Sequence, residues 1–180
     1  MQEYNSTYSI FSINIFIFFV VNLFLWPYRE QIMYTWGFLP TNSIFTLVTY
    51  SFLHGGLSHI FFNMVGLICY GRIVEKEVGS KSMLQLYLFA TVMPMILQHW
   101  FLPSNFPTIG ASAAIFGLTG AALLIDKAPL MFRVLGFLLI FKEFYTLFSY
   151  NFVSDNVAHF AHVFGFLAGF LWMLFKSDQI

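Results

Sequence analysis

The chain has 180 residues, 59% of them hydrophobic and only 9% charged, with a formal net charge of zero. Soluble domains carry roughly a quarter charged residues, so a water-soluble fold of this size is excluded and the class is an all-α integral membrane protein. The lack of a basic patch excludes a nucleic-acid partner, and the single cysteine, Cys69, excludes an intrachain disulfide and argues against a metal–thiolate cluster.

A spanning helix takes roughly 20 apolar residues. Six candidate segments follow in chain order, at 8–27, 58–73, 82–101, 112–126, 131–150 and 157–175. The first lacks a basic leader and a small-residue cleavage site, and reads as a retained helix rather than a signal peptide. Residues 28–57 form the longest connection. Tyr34, Trp36 and Tyr50 place it in the membrane interface rather than in water. No repeat or low-complexity stretch breaks the pattern, so residues 1–180 read as one membrane domain.

Positive charge sets an expected orientation. Arg72, Lys76 and Lys81 fall between the second and third segments, Lys127 and Arg133 between the fourth and fifth, and Lys176 after the sixth, whereas the long first connection has only Arg29. Cytoplasmic loops collect Lys and Arg, so both termini are expected inside, with every even-numbered segment running from the outer to the inner side. The fourth segment is short. From Ser112 to Ile125 a helix rises about 21 Å, against a hydrocarbon core of about 30 Å. The loop from Pro103 to Ala111 is therefore expected to dip into the membrane, where irregular backbone survives only inside protein or along a wet cavity. Ser112 is expected to face such a cavity.

Three segments of one direction carry polar groups at similar depth. "SHIFFNM" puts His59 and Asn63 four apart on one helix face, Ser112 opens the fourth segment, and "AHFAHVFGFLAG" puts His162 about a turn and a half into the sixth. Polar groups inside a membrane are costly and are functional hypotheses by default. Ala158, His162, Gly165 and Gly169 form one stripe on the sixth segment, and Ala113, Gly117, Gly120 and Ala121 a matching one on the fourth. Small residues let helix backbones approach closely, which would bring His162 to Ser112. The N-terminus of the fourth helix also offers free N–H groups for a developing oxyanion. Locally, Ser112 reads as well as a helix N-cap as it does a nucleophile; the shared depth of Ser112, His162, His59 and Asn63 favours the second.

The stretches "TYSFLHGGLSHIFFNMVGL", "VEKEVGSKSMLQLY", "GASAAIFGLTGA" and "AHFAHVFGFLAG" resemble the rhomboid intramembrane serine proteases of the minimal six-helix type, in family order and spacing. The resemblance implies a six-helix bundle with a short central fourth helix, and a Ser–His dyad with Ser112 as nucleophile and His162 as base. It implies that His59, Asn63 and the Ser112 N–H line the oxyanion hole, within the G-x-S motif that begins at Gly110. It implies that Phe116 packs on the histidine ring, that Gly165 faces the fourth helix with Gly117 and Gly169 along the same seam, and that Glu75 and Gly79 are structural. A dyad has no acidic third member, so packing and hydrogen bonds are left to orient the imidazole. Ala113 stands where the family's motif usually has Gly, and Phe45-Thr46 where a Trp-Arg pair is common.

The remaining polar residues get plainer readings. His54 belongs to the outer turn, His99 to the interface, and His159 is the rival base, set behind His162 by its register. Lys142 and Glu143, mid-way along the fifth segment, read as charges facing a wet interior or each other's neighbours, with a role in a lateral gate at that helix as the alternative. No metal is expected, because the histidines lack an evident set of acidic or thiolate neighbours, and no cofactor is implied. The expected activity is hydrolysis of transmembrane segments of other proteins within the bilayer, in a plasma membrane with the site open to the outer side. The rivals are a non-catalytic rhomboid-like client-binding protein and, behind it, a transporter or channel.

Overall fold

The computed structural model describes residues 5–101, 105–149 and 158–177. The ends of the fifth and sixth segments at 150 and 157, and Pro103–Ser104 of the dipping loop, lie outside the described residues. The described chain is helical, with one isolated antiparallel bridge between Phe38 and Thr108.

Helix α1 (Asn5–Phe19) runs on through a wider turn to Phe24. Its inward residues Thr7, Ile10, Asn14 and Phe18 recur at three and four, so one narrow stripe faces the bundle. Two short helices, α2 (Arg29–Trp36) and α3 (Thr46–Thr49), lie in the long first connection. The Asn42 side chain donates to the Tyr34 carbonyl at 2.7 Å, and the Thr49 hydroxyl to that of Trp36 at 2.7 Å, so the connection is stitched to itself. Thr46 is buried and donates to Ser43, while Phe45 projects outward.

Helix α4 (Leu57–Gly66) passes through one wide turn, Leu67–Gly71, into α5 (Arg72–Val78). Gly79, at φ 80°, then turns the chain directly into α6 (Ser80–Phe101). A side chain is strained at that positive φ. Helix α7 (Ser112–Leu123) is followed by α8 (Leu130–Phe148) and α9 (His159–Ser177).

Four segments among the described residues are long and apolar enough to cross a membrane: Asn5–Phe24, Leu57–Val78, Ser80–Phe101 and His159–Lys176. The other two of the six expected segments differ from them in kind. Helix α7 is apolar but has only 12 residues, ending at Leu123, short of the expected 126. Helix α8 has 19 residues and carries Arg133, Lys142 and Glu143 within its length. The protein is thus an integral, multi-pass helical membrane protein.

Helix α7 is the hub. Nine of its residues, Ala113 to Ala122 with the exception of Phe116, are buried, and α7 with α9 forms the most extensive helix pair among the described elements. Around the bundle the large apolar side chains point outward: Phe16, Phe62, Trp100, Phe137, Phe141 and Phe175 are all exposed. Lipid, rather than water, is the solvent that tolerates such a surface.

Candidate active site

Small residues set the distance between α7 and α9. A Cβ on Gly169 would overlap the Gly117 carbonyl group, one on Gly165 would overlap that of Ala113, and one on Gly120 that of Phe166. The two backbones touch without side chains between them. Ala113 meets Gly165 of α9 through its backbone and belongs to a buried apolar cluster with Tyr50, Met95 and Ala161 of the same helix α9.

That approach brings Ser112 and His162 together. Ser112 Oγ lies 2.8 Å from His162 Nε2. The N-cap position of α7 is Ala111, and no side chain makes a capping bond there. Ser112 is the first helical residue, and its hydroxyl turns to the imidazole rather than back to the helix. Phe116, one turn on, stacks on the His162 ring with centroids 4.5 Å apart and planes 19° from parallel.

The loop before Ser112 is held at three points. Phe38 and Thr108 exchange backbone hydrogen bonds of 2.9 Å, Gly110 N–H donates to the Tyr50 carbonyl at 2.9 Å, and Gln98 of α6 donates to the Thr108 hydroxyl at 3.0 Å. Irregular backbone at this depth needs such partners. Gly110 has φ 112°, and a Cβ there would lie 2.6 Å from His59 Nε2, so both conformation and space demand glycine.

His59 is thus beside the loop, two residues before Ser112, with Nδ1 accepting from Gly55 N–H at 3.3 Å. Asn63 is buried one turn below, its Nδ2 donating to the His59 carbonyl at 2.8 Å and its Oδ1 without a partner. Among the described residues no hydrogen bond joins His59 or Asn63 to Ser112 or His162. One of the two Asn63 amide hydrogens is spent on the helix, leaving the other to give. His54, expected in an outer turn, is buried at 1% exposure with both ring nitrogens unpartnered, its ring 5.0 Å from that of His59. Burial, and then the neighbouring His59, hold its pKa down at about 3.

The residue that sequence reasoning left without a role is Glu143. Its Oε2 lies 2.9 Å from His162 Nδ1 and 2.5 Å from His159 Nδ1, and its Oε1 3.4 Å from Lys142 Nζ. Glu143 is buried, whereas the Lys142 side chain is 65% exposed. The buried carboxylate faces the two histidines through one oxygen, and the largely exposed Lys142 reaches its other oxygen from the rim. A signal for this was present. Gly136, Ile140 and Glu143 are spaced by four and three, and they are the buried stripe of α8. The expectation that the histidines lack an acidic neighbour fails here, since Glu143, His159 and His162 present nitrogen and oxygen atoms within 4.8 Å of one another. In the structure those atoms are engaged in hydrogen bonds to each other.

The family model of the Rhomboid domain matches residues 41–179. The chain is 29% identical over 171 residues to "Rhomboid protease GluP" of Bacillus subtilis (strain 168), covering 91% of this chain and 33% of that protein. It is 29% identical over 150 residues to "Rhomboid-like protein 11, chloroplastic" of Arabidopsis thaliana, covering 73% of this chain and 53% of that one. It is also 34% identical over 90 residues to "Inactive RHOMBOID-like protein 8" of the same plant, covering 49% of this chain and 25% of that one. The chain thus spans about half or less of the length of these relatives, which include both a named protease and a named inactive member. With the family model matching well over half of its residues, this chain belongs to the rhomboid family.

Proposed function

We propose that this protein is a serine endopeptidase that cleaves transmembrane segments of other membrane proteins inside the bilayer. The observation that carries the reading is the 2.8 Å contact between Ser112 Oγ and His162 Nε2 inside a predominantly apolar helical bundle. Polar pairs in such surroundings are costly and are kept for a task. A serine hydroxyl is a weak nucleophile until a base takes its proton. In this reading His162 Nε2 accepts that proton as Ser112 Oγ attacks the scissile carbonyl carbon. The imidazolium then returns the proton to the leaving amine, an acyl-enzyme forms, and a water activated by the same imidazole releases the acid. The Ser112 N–H at the start of α7, the second Asn63 amide hydrogen and His59 face the developing oxyanion; such a donor is typically worth about 2.7–4 kcal/mol of barrier. No cofactor enters the scheme.

The substrate helix must unwind locally, because a helix hides its carbonyls in internal hydrogen bonds. Small or helix-breaking residues near the cut are therefore favoured, and a bulky aromatic there slows cleavage. The whole chain acts as one six-span domain, with α7 and α8 as the fourth and fifth spans. Its termini are cytoplasmic and its site opens to the outer side of a plasma membrane, as the Lys and Arg distribution supports.

A fluorophosphonate probe tests the nucleophile directly. Incubation of the detergent-solubilised protein is expected to label Ser112, mapped by mass spectrometry, and to fail in His162→Ala. The second reading, a membrane protein that binds clients without cutting them, is favoured by the inactive relative. It predicts no labelling of the folded wild type.

A further inference from the structure

We infer that Glu143 is the positioning residue for His162, completing a Ser112–His162–Glu143 relay where a two-residue dyad was expected; this rests on the protease reading above. A carboxylate buried in the middle of an apolar helix costs several kcal/mol unless its partners are excellent. Its partners therefore identify its task. Glu143 Oε2 meets His162 Nδ1 at 2.9 Å, while the opposite ring nitrogen of the same histidine meets Ser112 Oγ at 2.8 Å.

The chemistry of the two acceptors then fixes the proton. An ionised carboxylate only accepts hydrogen bonds. His162 Nδ1 must hold the hydrogen that is donated to it, which leaves Nε2 with the lone pair that a general base needs. The wrong tautomer would put a hydrogen on Nε2, facing the serine. The same carboxylate stabilises the imidazolium that forms when Nε2 takes the Ser112 proton. Phe116, stacked on one ring face, restrains the tilt that two in-plane hydrogen bonds leave free.

His159 has a subordinate place in this arrangement. It is buried at 2% exposure and sits 2.5 Å from the same Oε2, so that oxygen accepts from two imidazoles, one per lone pair. His159 thereby holds the carboxylate while the carboxylate holds His162. In the rival arrangement Glu143 is only a strut for His159, and its contact with His162 has no consequence for turnover.

The test is Glu143→Gln in proteoliposomes with a fluorogenic transmembrane peptide, alongside Glu143→Asp and His159→Gln. Removing the buried acid of a soluble Ser-His-Asp triad costs about 10⁴-fold in kcat. Here the expected loss for Glu143→Gln is about 10²- to 10³-fold in kcat with KM within about twofold, since substrate binding does not use the carboxylate. Glu143→Asp recovers part of that loss, and His159→Gln loses less than Glu143→Gln. A strut for His159 predicts the reverse order, with His159→Gln at least as damaging, and wild-type kcat in Glu143→Gln overturns the inference outright. A second readout is independent of cleavage. In ¹⁵N-histidine-labelled protein, His162 is expected to show a strongly downfield Nδ1–H resonance that moves upfield in Glu143→Gln, or in Glu143→Asp should the glutamine variant not fold. If the wild type neither cleaves nor takes the serine probe, the protease reading fails, and this resonance alone decides the contact: no response to the Glu143 substitutions overturns it.

Discussion

Two buried glutamates divide this molecule between structure and chemistry. Glu75 and Glu143 are exposed by only 1% and 4%, and both sit in helices meant for lipid surroundings. Glu75 accepts from the backbone N–H of Ser6 at 2.8 Å and of Thr7 at 3.1 Å, and from the Thr7 hydroxyl at 2.5 Å. Those are free donors of the first turn of α1, and the carboxylate meets the positive end of that helix. These partners are backbone N–H groups and a hydroxyl, fixed dipoles that neither gain nor lose a proton near neutral pH. Glu143 instead meets imidazoles that gain and lose protons, and one of these leads on to a serine hydroxyl. The same side chain, equally buried, caps a helix in one place and orients a base in the other. What it touches decides, and burial alone does not.

The contrast is sharpest in kinetics. Glu143→Gln is expected to cut kcat by about 10²- to 10³-fold, equivalent to about 3–4 kcal/mol of barrier at 1.36 kcal/mol per tenfold, with little change in folding. Glu75→Ala is expected to do the opposite. Leaving the Ser6 and Thr7 donors of α1 unpaired costs about 2–3 kcal/mol of stability, read as a lower melting temperature in micelles, with kcat per folded molecule unchanged. Equal effects of the two substitutions on kcat would collapse the distinction.

His54 marks the limiting case of a buried polar group with no hydrogen-bond partner for either ring nitrogen. Its pKa is about 3 in the fold, held down by burial and then by His59, against about 6.5 in an unfolded chain. Between those values the unfolded chain binds a proton that the native one does not. Stability is therefore complete above about pH 6.5 and falls as the pH drops toward 3, by at most about 1.4 kcal/mol per pH unit. Denaturation in micelles from pH 7.5 to 4.5 is expected to show that slope, and His54→Phe to lose it. The smallest effect belongs to Thr7→Val, which removes one hydroxyl from Glu75 and is expected to cost about 1 kcal/mol of stability without touching turnover.

The legible and illegible parts of the site differ in a physical way. The α7–α9 seam was readable because small residues at three- and four-residue spacing have one common use in lipid, and two matching stripes select each other. Ser112 and His162 follow from that seam by register alone. His59 and Asn63, four apart, were legible as one helix face but not by their contacts. Asn63 spends one hydrogen on its own helix, which only the rotamer reveals. The length of α7 was read within three residues at its inner end, where the chain leaves the helix at Leu124. Glu143 stayed hidden because a neighbouring Lys142 offered a nearer explanation, and because the register of α8 against α9 depends on packing over the intervening chain. The stripe Gly136, Ile140 and Glu143 pointed inward, yet a single helix says nothing of what awaits it there.

The most direct measurement of the central claim is cleavage of a fluorogenic transmembrane peptide in proteoliposomes by wild type, Ser112→Ala and His162→Ala. Cleavage by wild type that vanishes in both variants, with all three folded alike by circular dichroism, is the predicted result. Cleavage that survives Ser112→Ala, or a folded wild type that cuts none of several peptides, would contradict the account.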